Sequence, residues 1–345
     1  MRETLADIGE FGLIHRIDKL LKRESTQTEE TFLGIGDDAA AVSPKEGFEL
    51  LITCDSLVEG RHFLSEFMNF FDLGRRAMTV NISDIGAMGG VPLYALVSLG
   101  LKADMNVCDI EEMYRGFVAE LNPFKAAIIG GNITHVESSI FIDITLIGEI
   151  KTGKTVLRST ARVGDAILVT GFPGEAAAGL DLLLHANPDK FPYDHPLVKA
   201  YISPVHRAHE GHAIASSGLA TSMIDTSDGL LADLAHICQD SGVGAELIRK
   251  DLPISKALEE TAAQKQKDPY ELCTRDSDDY ELIVTCAPKN VEKIKDIIKK
   301  ISDVPITQIG TISEAREIFH WVLPDGTRQQ FTPKGWDHFS EKRSP

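Results

Sequence analysis

Apolar positions recur along this chain at two spacings, that of a helix and that of a strand, and the two alternate from end to end. Leu13, Ile14, Ile17, Leu20 and Leu21 predict a short amphipathic helix over 11–21. Residues 49–54 read as a strand running into Asp55, with a turn at Glu59-Gly60. Leu73, Ala77, Val80, Asp84 and Ala87 fall near one face of a helix predicted over 72–88. A buried strand over 92–101, a helix over 110–121, a strand over 126–129 ending in Gly130-Gly131-Asn132-Ile133-Thr134, and a long strand over 139–148 follow. Further strands are predicted at 166–170, 220–224, 279–285 and 306–311, and helices at 175–184, 206–217, 230–239 and 291–301. Ser227 or Asp228 is the candidate N-cap of the helix that begins at Leu230. Strand and helix alternate throughout, so the fold class is α/β or α+β.

The chain has 345 residues, more than one hydrophobic core usually serves, and apolar density falls over 149–164. Two domains, 1–150 and 151–345, are therefore expected. Basic residues number 35 against 52 acidic, a net charge of −17, which argues against broad binding to nucleic acid or anionic membrane. Nucleotide binding stays open, because a metal ion can bridge carboxylate to phosphate. Five scattered cysteines without a Cys-x-x-Cys pair suit a reducing compartment better than a disulfide framework or zinc site. The first residues lack an apolar signal core and no apolar run reaches the ~18 residues of a membrane span, so a cytoplasmic protein is expected.

Acidic residues recur where apolar runs meet small residues: Asp37-Asp38 after Gly34-Ile35-Gly36, Asp55 after Cys54, Asp84 after Ile82-Ser83, and Asp225 and Asp228 in Asp-Thr-Ser-Asp-Gly. Any one of these is a solvated turn or a helix cap when taken alone. Several carboxylates converging from distant positions would instead form a site for magnesium and a polyphosphate. Gly148 to Thr155 also satisfies the pattern of a phosphate-binding P-loop. A functional P-loop leads directly into a helix, and the segment after Lys154-Thr155 has no helical periodicity, so that match is read as chance.

The ordered set of motifs resembles the thiamine-monophosphate kinase family, within the superfamily of aminoimidazole ribonucleotide synthetase, selenophosphate synthetase and a hydrogenase-maturation dehydratase. The matching stretches are 34–40, 54–63 (Cys-Asp-Ser-Leu-Val-Glu-Gly-Arg-His-Phe), 80–89, 130–134, 157–159, 224–230, 279–282 (Asp-Tyr-Glu-Leu) and 334–339 (Lys-Gly-Trp-Asp-His-Phe). The resemblance implies two α/β domains, with the N-terminal one binding ATP and magnesium and pairing in a homodimer. The C-terminal domain would complete the ATP and substrate site, with ATP lying between the domains. It implies ATP-dependent phosphorylation of thiamine phosphate, with no catalytic side chain beyond those that position substrate and metal. By the same resemblance Asp38, Asp55, Asp84, Asp225 and Asp228 are ligands of several Mg2+ ions, with Asn132, the Thr53 oxygen and the Cys54 carbonyl as further ligands. Gly131, Asn132, Arg158 and Ser227 would contact ATP, and His62, Asp278 and Trp336 would hold thiamine phosphate. An acid and an aromatic ring suit a cationic thiazolium.

Two positions depart from the family pattern. Asn132 stands where aspartate is usual in Gly-Gly-Asp, and Ser277-Asp278-Asp279 replaces Gly-Glu-Asp. The first change removes one negative charge from a metal site; the second shortens a substrate-facing acid by one methylene. Against the kinase stand a synthetase or dehydratase of the same superfamily, a catalytically silent nucleotide-binding homologue, and a P-loop enzyme dependent on Lys154. The selenophosphate enzyme needs a reactive cysteine near its N-terminus, whereas the first cysteine here is Cys54; the dehydratase uses a C-terminal cysteine, whereas this sequence ends in Pro345.

Overall fold

A computed structural model describes residues 3–26, 31–35, 39–187, 191–323 and 325–333. The chain divides into two compact units, 1–155 and 156–345. The first opens with helix α1 (Leu5–Glu24), bent at Gly9, whose φ is 66°. After a two-stranded ribbon of β1 (Thr31–Leu33) and β2 (Ala41–Val42) come β3 (Phe48–Val58), α2 (Phe70–Ala87), β4 (Val91–Leu101), α3 (Val107–Leu121), β5 (Ala127–His135) and β6 (Phe141–Lys151). The sheet has the order β3-β6-β4-β5, with β4 and β5 parallel and the other neighbours antiparallel. Alternation along β3 sends Leu51 and Leu57 into the core, whereas Leu50 and Ile52 point the other way and stay 42% and 67% exposed.

Helix α2 is buried around most of its circumference, with Leu73, Ala77, Met78, Ile82 and Ile85 among its buried residues. It also lies unusually close to α3. A Cβ at Gly74 would come within 2.0 Å of the Met113 carbonyl oxygen, and one at Gly116 within 2.2 Å of the Phe71 carbonyl oxygen. Both glycines are therefore required for contact between the two helix backbones.

The second unit contains β7 (Ala166–Thr170), α4 (Glu175–Leu184), α5 (Pro196–Ile202), α6 (Ala208–Ser217), β8 (Ala220–Asp225), α7 (Leu230–Ser241) and β9 (Gly244–Ile248). These are followed by α8 (Lys256–Gln264), α9 (Pro269–Cys273), β10 (Leu282–Cys286), α10 (Val291–Ile301), β11 (Ile306–Ser313), β12 (Phe319–Val322) and β13 (Arg328–Phe331). Seven strands form one sheet in the order β13-β12-β9-β11-β7-β10-β8, antiparallel except for the β12–β9 pair. Ile167, Val169, Leu230, Leu234, Ile237 and Ile283 lie in the core between sheet and helices.

Three expectations are corrected. Strand β5 does not stop at Ile129 but continues through the glycines to His135. Strand β10 starts at Leu282, leaving Asp279, Tyr280 and Glu281 in a loop where Tyr280 has a φ of 55°. The N-cap of α7 is Gly229, with neither Ser227 nor Asp228 in that place. Among the described residues no helix is long and apolar enough to cross a membrane.

Gly116→Val should destabilise the N-terminal unit by about 2 kcal/mol or more, because backbone cannot yield to a new side chain as a flexible group can. Urea unfolding followed by circular dichroism should show an earlier first transition, and an unchanged midpoint would contradict this packing.

Candidate active site

In the N-terminal unit, Thr53 and Asp55 share the face of β3 that carries the buried Leu51 and Leu57. Asp84 comes to meet them from the last turn of α2. The Thr53 hydroxyl donates to the Asp84 carboxylate, and the Asp55 N–H donates to Asn81 Oδ1 at 3.2 Å. Asn81 is itself held by a bond from its Nδ2 to the Ala77 carbonyl at 3.2 Å. Burial, then the neighbouring Asp84 carboxylate, pushes the Asp55 carboxyl up to about 7. Arg75, nine residues before Asp84, is engaged by Glu120 at 2.5 Å. The cluster thus gathers hydroxyl and carboxylate oxygens, a donor set suited to a hard cation such as magnesium.

The opposite face of the sheet carries Cys54, whose thiol lies 3.4 Å from Asp143 Oδ1, and Ser56, whose hydroxyl donates to the same carboxylate. The Cys54 side chain thus points away from Asp84, so only its backbone oxygen is suited to that cation. Asp143 belongs to β6 and went unnoticed in the sequence, where it reads as an ordinary polar position of an alternating strand. His62 follows β3 and accepts the Val58 N–H on Nδ1 at 3.0 Å, which puts the proton of a neutral ring on Nε2. Gly131 and Asn132 lie exposed on β5; Gly131 has a φ of 156°, and a Cβ there would meet the Val97 carbonyl oxygen at 1.9 Å. Asp38 falls outside the described residues.

In the C-terminal unit, β8 ends at Asp225 and the turn Thr226-Ser227-Asp228-Gly229 leads into α7. Asp225 is buried, Asp228 half-buried and Ser227 exposed. The turn is tied to the start of β10 by bonds from Thr226 N–H to the Glu281 carbonyl (2.8 Å), Tyr280 N–H to the Thr226 carbonyl (2.9 Å) and Glu281 N–H to the Thr226 hydroxyl (3.0 Å). Asp278, half-buried, begins this segment. Its neighbour Asp279 accepts the N–H groups of Gly174 and Ala176 at 2.6 and 2.8 Å, fixing the first turn of α4. Glu281 takes both Nε (2.6 Å) and Nη2 (2.5 Å) of Arg207, together with the Thr170 hydroxyl.

Asp233, in the first turns of α7, is a further residue the sequence reading missed. Burial, then the charges of Asp225 and Asp228, pushes its carboxyl up to about 8. Its spacing, five residues after Asp228, was the available signal. Arg158 pairs with Asp240 at 2.7 Å, at the end of α7 remote from Asp228 by roughly 15 Å of helix. Within this unit the structure therefore does not bring Arg158 to the acidic turn. Trp336 lies outside the described residues. After Lys154-Thr155, residues 156–165 contain no helix, so the geometry that a P-loop needs is missing.

The sequence profile of the AIR synthase related protein N-terminal domain matches residues 36–150, and that of its C-terminal domain residues 162–322. Thiamine-monophosphate kinase of Aquifex aeolicus (strain VF5) is 35% identical over 335 residues, covering 97% of this chain and 99% of the relative. The chain belongs to the thiamine-monophosphate kinase family. A crystal structure of thiamine-monophosphate kinase from Stenotrophomonas maltophilia K279a superposes with a TM-score of 0.78 at 33% identity, covering 90% of this chain and 95% of that one. A structure described as AaThiL complexed with AMPPCP and TMP gives a TM-score of 0.74 at 35% identity over 98% of this chain and 99% of that one. The two-domain architecture expected from the sequence is thus the architecture of this family.

Burial, then the neighbouring Asp84, works against the ionised form of Asp55, so above its raised pKa that carboxylate weighs against the fold when no cation is present. Asp55→Asn should therefore raise the thermal midpoint of the N-terminal unit by about 2–4 °C in chelator, equivalent to roughly 1 kcal/mol for a domain of this size. Calorimetry in EDTA measures this directly; a lower midpoint would show that the carboxylate is needed for structure.

Proposed function

We infer that this protein transfers the γ-phosphoryl group of ATP to thiamine phosphate, giving thiamine diphosphate and ADP. The reading rests on the convergence of Asp55 and Asp84 on one site in a chain that matches a thiamine-monophosphate kinase along 97% of its length. A relative's structure is described with AMPPCP, an ATP analogue, and TMP, which matches the two substrates.

The acceptor in this reaction is a phosphate oxygen. Its second ionisation lies near pH 6, so at neutral pH it is already an anion and needs no general base. The protein must instead bring two anionic phosphate groups together and offset their charge, which makes positioning and electrostatics the whole task. Thr53, Asp55 and Asp84 in the N-terminal unit, with Asp225 and Asp228 in the C-terminal unit, are the residues assigned to magnesium, and Asp38 and Asn132 are added by resemblance. Magnesium bound there would neutralise phosphate charge and polarise the transferred group. Gly131 leaves room for backbone to approach the nucleotide, and Ser227 offers an exposed hydroxyl beside the acidic turn. Arg158 is assigned to ATP phosphate by resemblance. His62, with its Nε2–H, together with Asp278 and Trp336, is assigned to thiamine phosphate.

A homodimer is part of the same reading. The outer face of the N-terminal sheet presents the exposed Leu50 and Ile52 side by side on β3, and pairing of two such faces would bury them.

Purified protein with ATP, magnesium and thiamine phosphate should form thiamine diphosphate. Asp55→Asn should lower turnover by about 10²-fold or more, with Lys154→Ala close to wild type. Product lost only in Lys154→Ala would replace the aspartate site with the P-loop. Light scattering should find a dimer that Ile52→Lys converts to monomer; a wild-type monomer would remove the dimer from the reading.

A further inference from the structure

The acidic turn before α7 is organised by a carboxylate that the kinase reading leaves without a role. A single oxygen of Asp233, Oδ2, accepts the N–H of Asp228 at 3.0 Å and that of Gly229 at 3.1 Å. The Asp233 N–H in turn donates to the Gly229 carbonyl at 3.1 Å, closing the loop on itself. Asp233 is only 2% exposed. Gly229 has a φ of 110°, and a Cβ there would lie 2.7 Å from the Arg275 carbonyl oxygen, so the chain follows this path only as glycine. On the other side the turn is fixed to Tyr280 and Glu281 by the Thr226 bonds. The backbone from Thr226 to Gly229 is thus clamped from both flanks. Polar side-chain atoms of Asp228, Asp233 and His236 all lie within 4.8 Å of one another.

We propose that Asp233 is a positioning residue for phosphoryl transfer, its Oδ2 holding two successive N–H groups so that Asp228 presents its carboxylate next to Asp225. The inference rests on the kinase reading above. Asp225 ends β8 and Asp228 follows three residues later on the turn, so on a mobile turn Asp228 would swing away from its like-charged neighbour. A backbone fixed at two consecutive amides keeps them together before the cation arrives, which is what supports of metal ligands do. An ordinary helix cap would use the same bonds but would affect only folding, and a direct ligand would require the charge of Asp233. These alternatives differ in what substitution does.

Because both hydrogen bonds end on one oxygen, the amide oxygen of asparagine can replace it. The test compares wild type, Asp233→Asn and Asp233→Ala by thermal melting in EDTA and again with magnesium and AMPPCP, and by the magnesium dependence of the kinase assay. Wild type should gain stability on adding magnesium and AMPPCP. Asp233→Asn should keep that gain and a magnesium half-saturation within about threefold of wild type. Asp233→Ala should melt below wild type in EDTA and, beyond that loss, forfeit most of the gain and need about tenfold or more magnesium in its folded fraction, with a smaller change in kcat. The proposal is overturned if Asp233→Ala keeps the wild-type gain and half-saturation, or if its losses follow its folded fraction. It is also overturned if Asp233→Asn is impaired as much as Asp233→Ala, since the charge and not the acceptor oxygen would then matter. Should Asp233→Ala fail to fold, a tenfold rise in half-saturation in folded Asp233→Asn suffices to overturn it. A wild type with no gain would instead refute the kinase reading itself.

Discussion

Packing like charges against one another is the constraint on which this molecule turns. Asp55 and Asp84 are brought together from a strand and a helix, and burial together with mutual repulsion raises the Asp55 carboxyl to about 7. Once both are ionised, two carboxylates do not seek each other, so the surrounding structure has to hold them in place. The imposing elements are identifiable. The β3 register is set by an eleven-residue pairing with β6, from Phe48–Lys151 to Val58–Phe141. Helix α2 is held by its many buried side chains and by the close approach to α3 that Gly74 and Gly116 permit. A rigid scaffold thus opposes an electrostatic force at this pair of carboxylates.

The C-terminal unit meets the same requirement by different means. Asp225 ends strand β8, but Asp228 lies on the turn that follows, which has less intrinsic rigidity than a strand or helix, and side-chain to backbone bonds compensate. Thr226 and Glu281 tie the turn to β10, and Asp233 ties it to α7. Such bonds are directional and independent of hydrophobic packing, so they can organise a polar segment at the edge of a core.

Much of this was legible in the sequence. Hydrophobic patterning placed β3, α2, β4, α3, β6, β7, α4, β8, α7, α10 and β11, most through one apolar face and β7 through an unbroken apolar run. Thr53 and Asp55 could be put on one side of β3 by counting in twos, and Asp84 on the face of α2 near the apolar stripe by counting in threes and fours. What escaped depends on contacts between distant residues. The sequence Asp-Tyr-Glu before Leu282 looks like an extension of β10, yet Asp279 is drawn to the start of α4 about a hundred residues earlier and Glu281 to Arg207. Those bonds override strand propensity, and nothing local announces them. Asp233 was missed for a related reason: an acid in the first turns of a helix has an ordinary explanation in the helix dipole, which conceals its hold on the preceding turn. The short elements β1, β2, α5, β9, α8, α9, β12 and β13 were missed because they carry few residues in which to show a period.

The left-handed backbone at Tyr280 has a wider thermodynamic consequence. This bulky residue stands between Asp279, which fixes α4, and Glu281, which holds the residue leading into α6, while its own N–H is bonded to Thr226. A conformation of that kind costs on the order of 1–3 kcal/mol and persists only where its surroundings over-determine it. Relaxing it would release the first turn of α4, the anchor of α6 and the Asp225 turn together. These pieces therefore share one opening equilibrium, and amides that are far apart in sequence should exchange with solvent as a single subglobal unit rather than as separate loops.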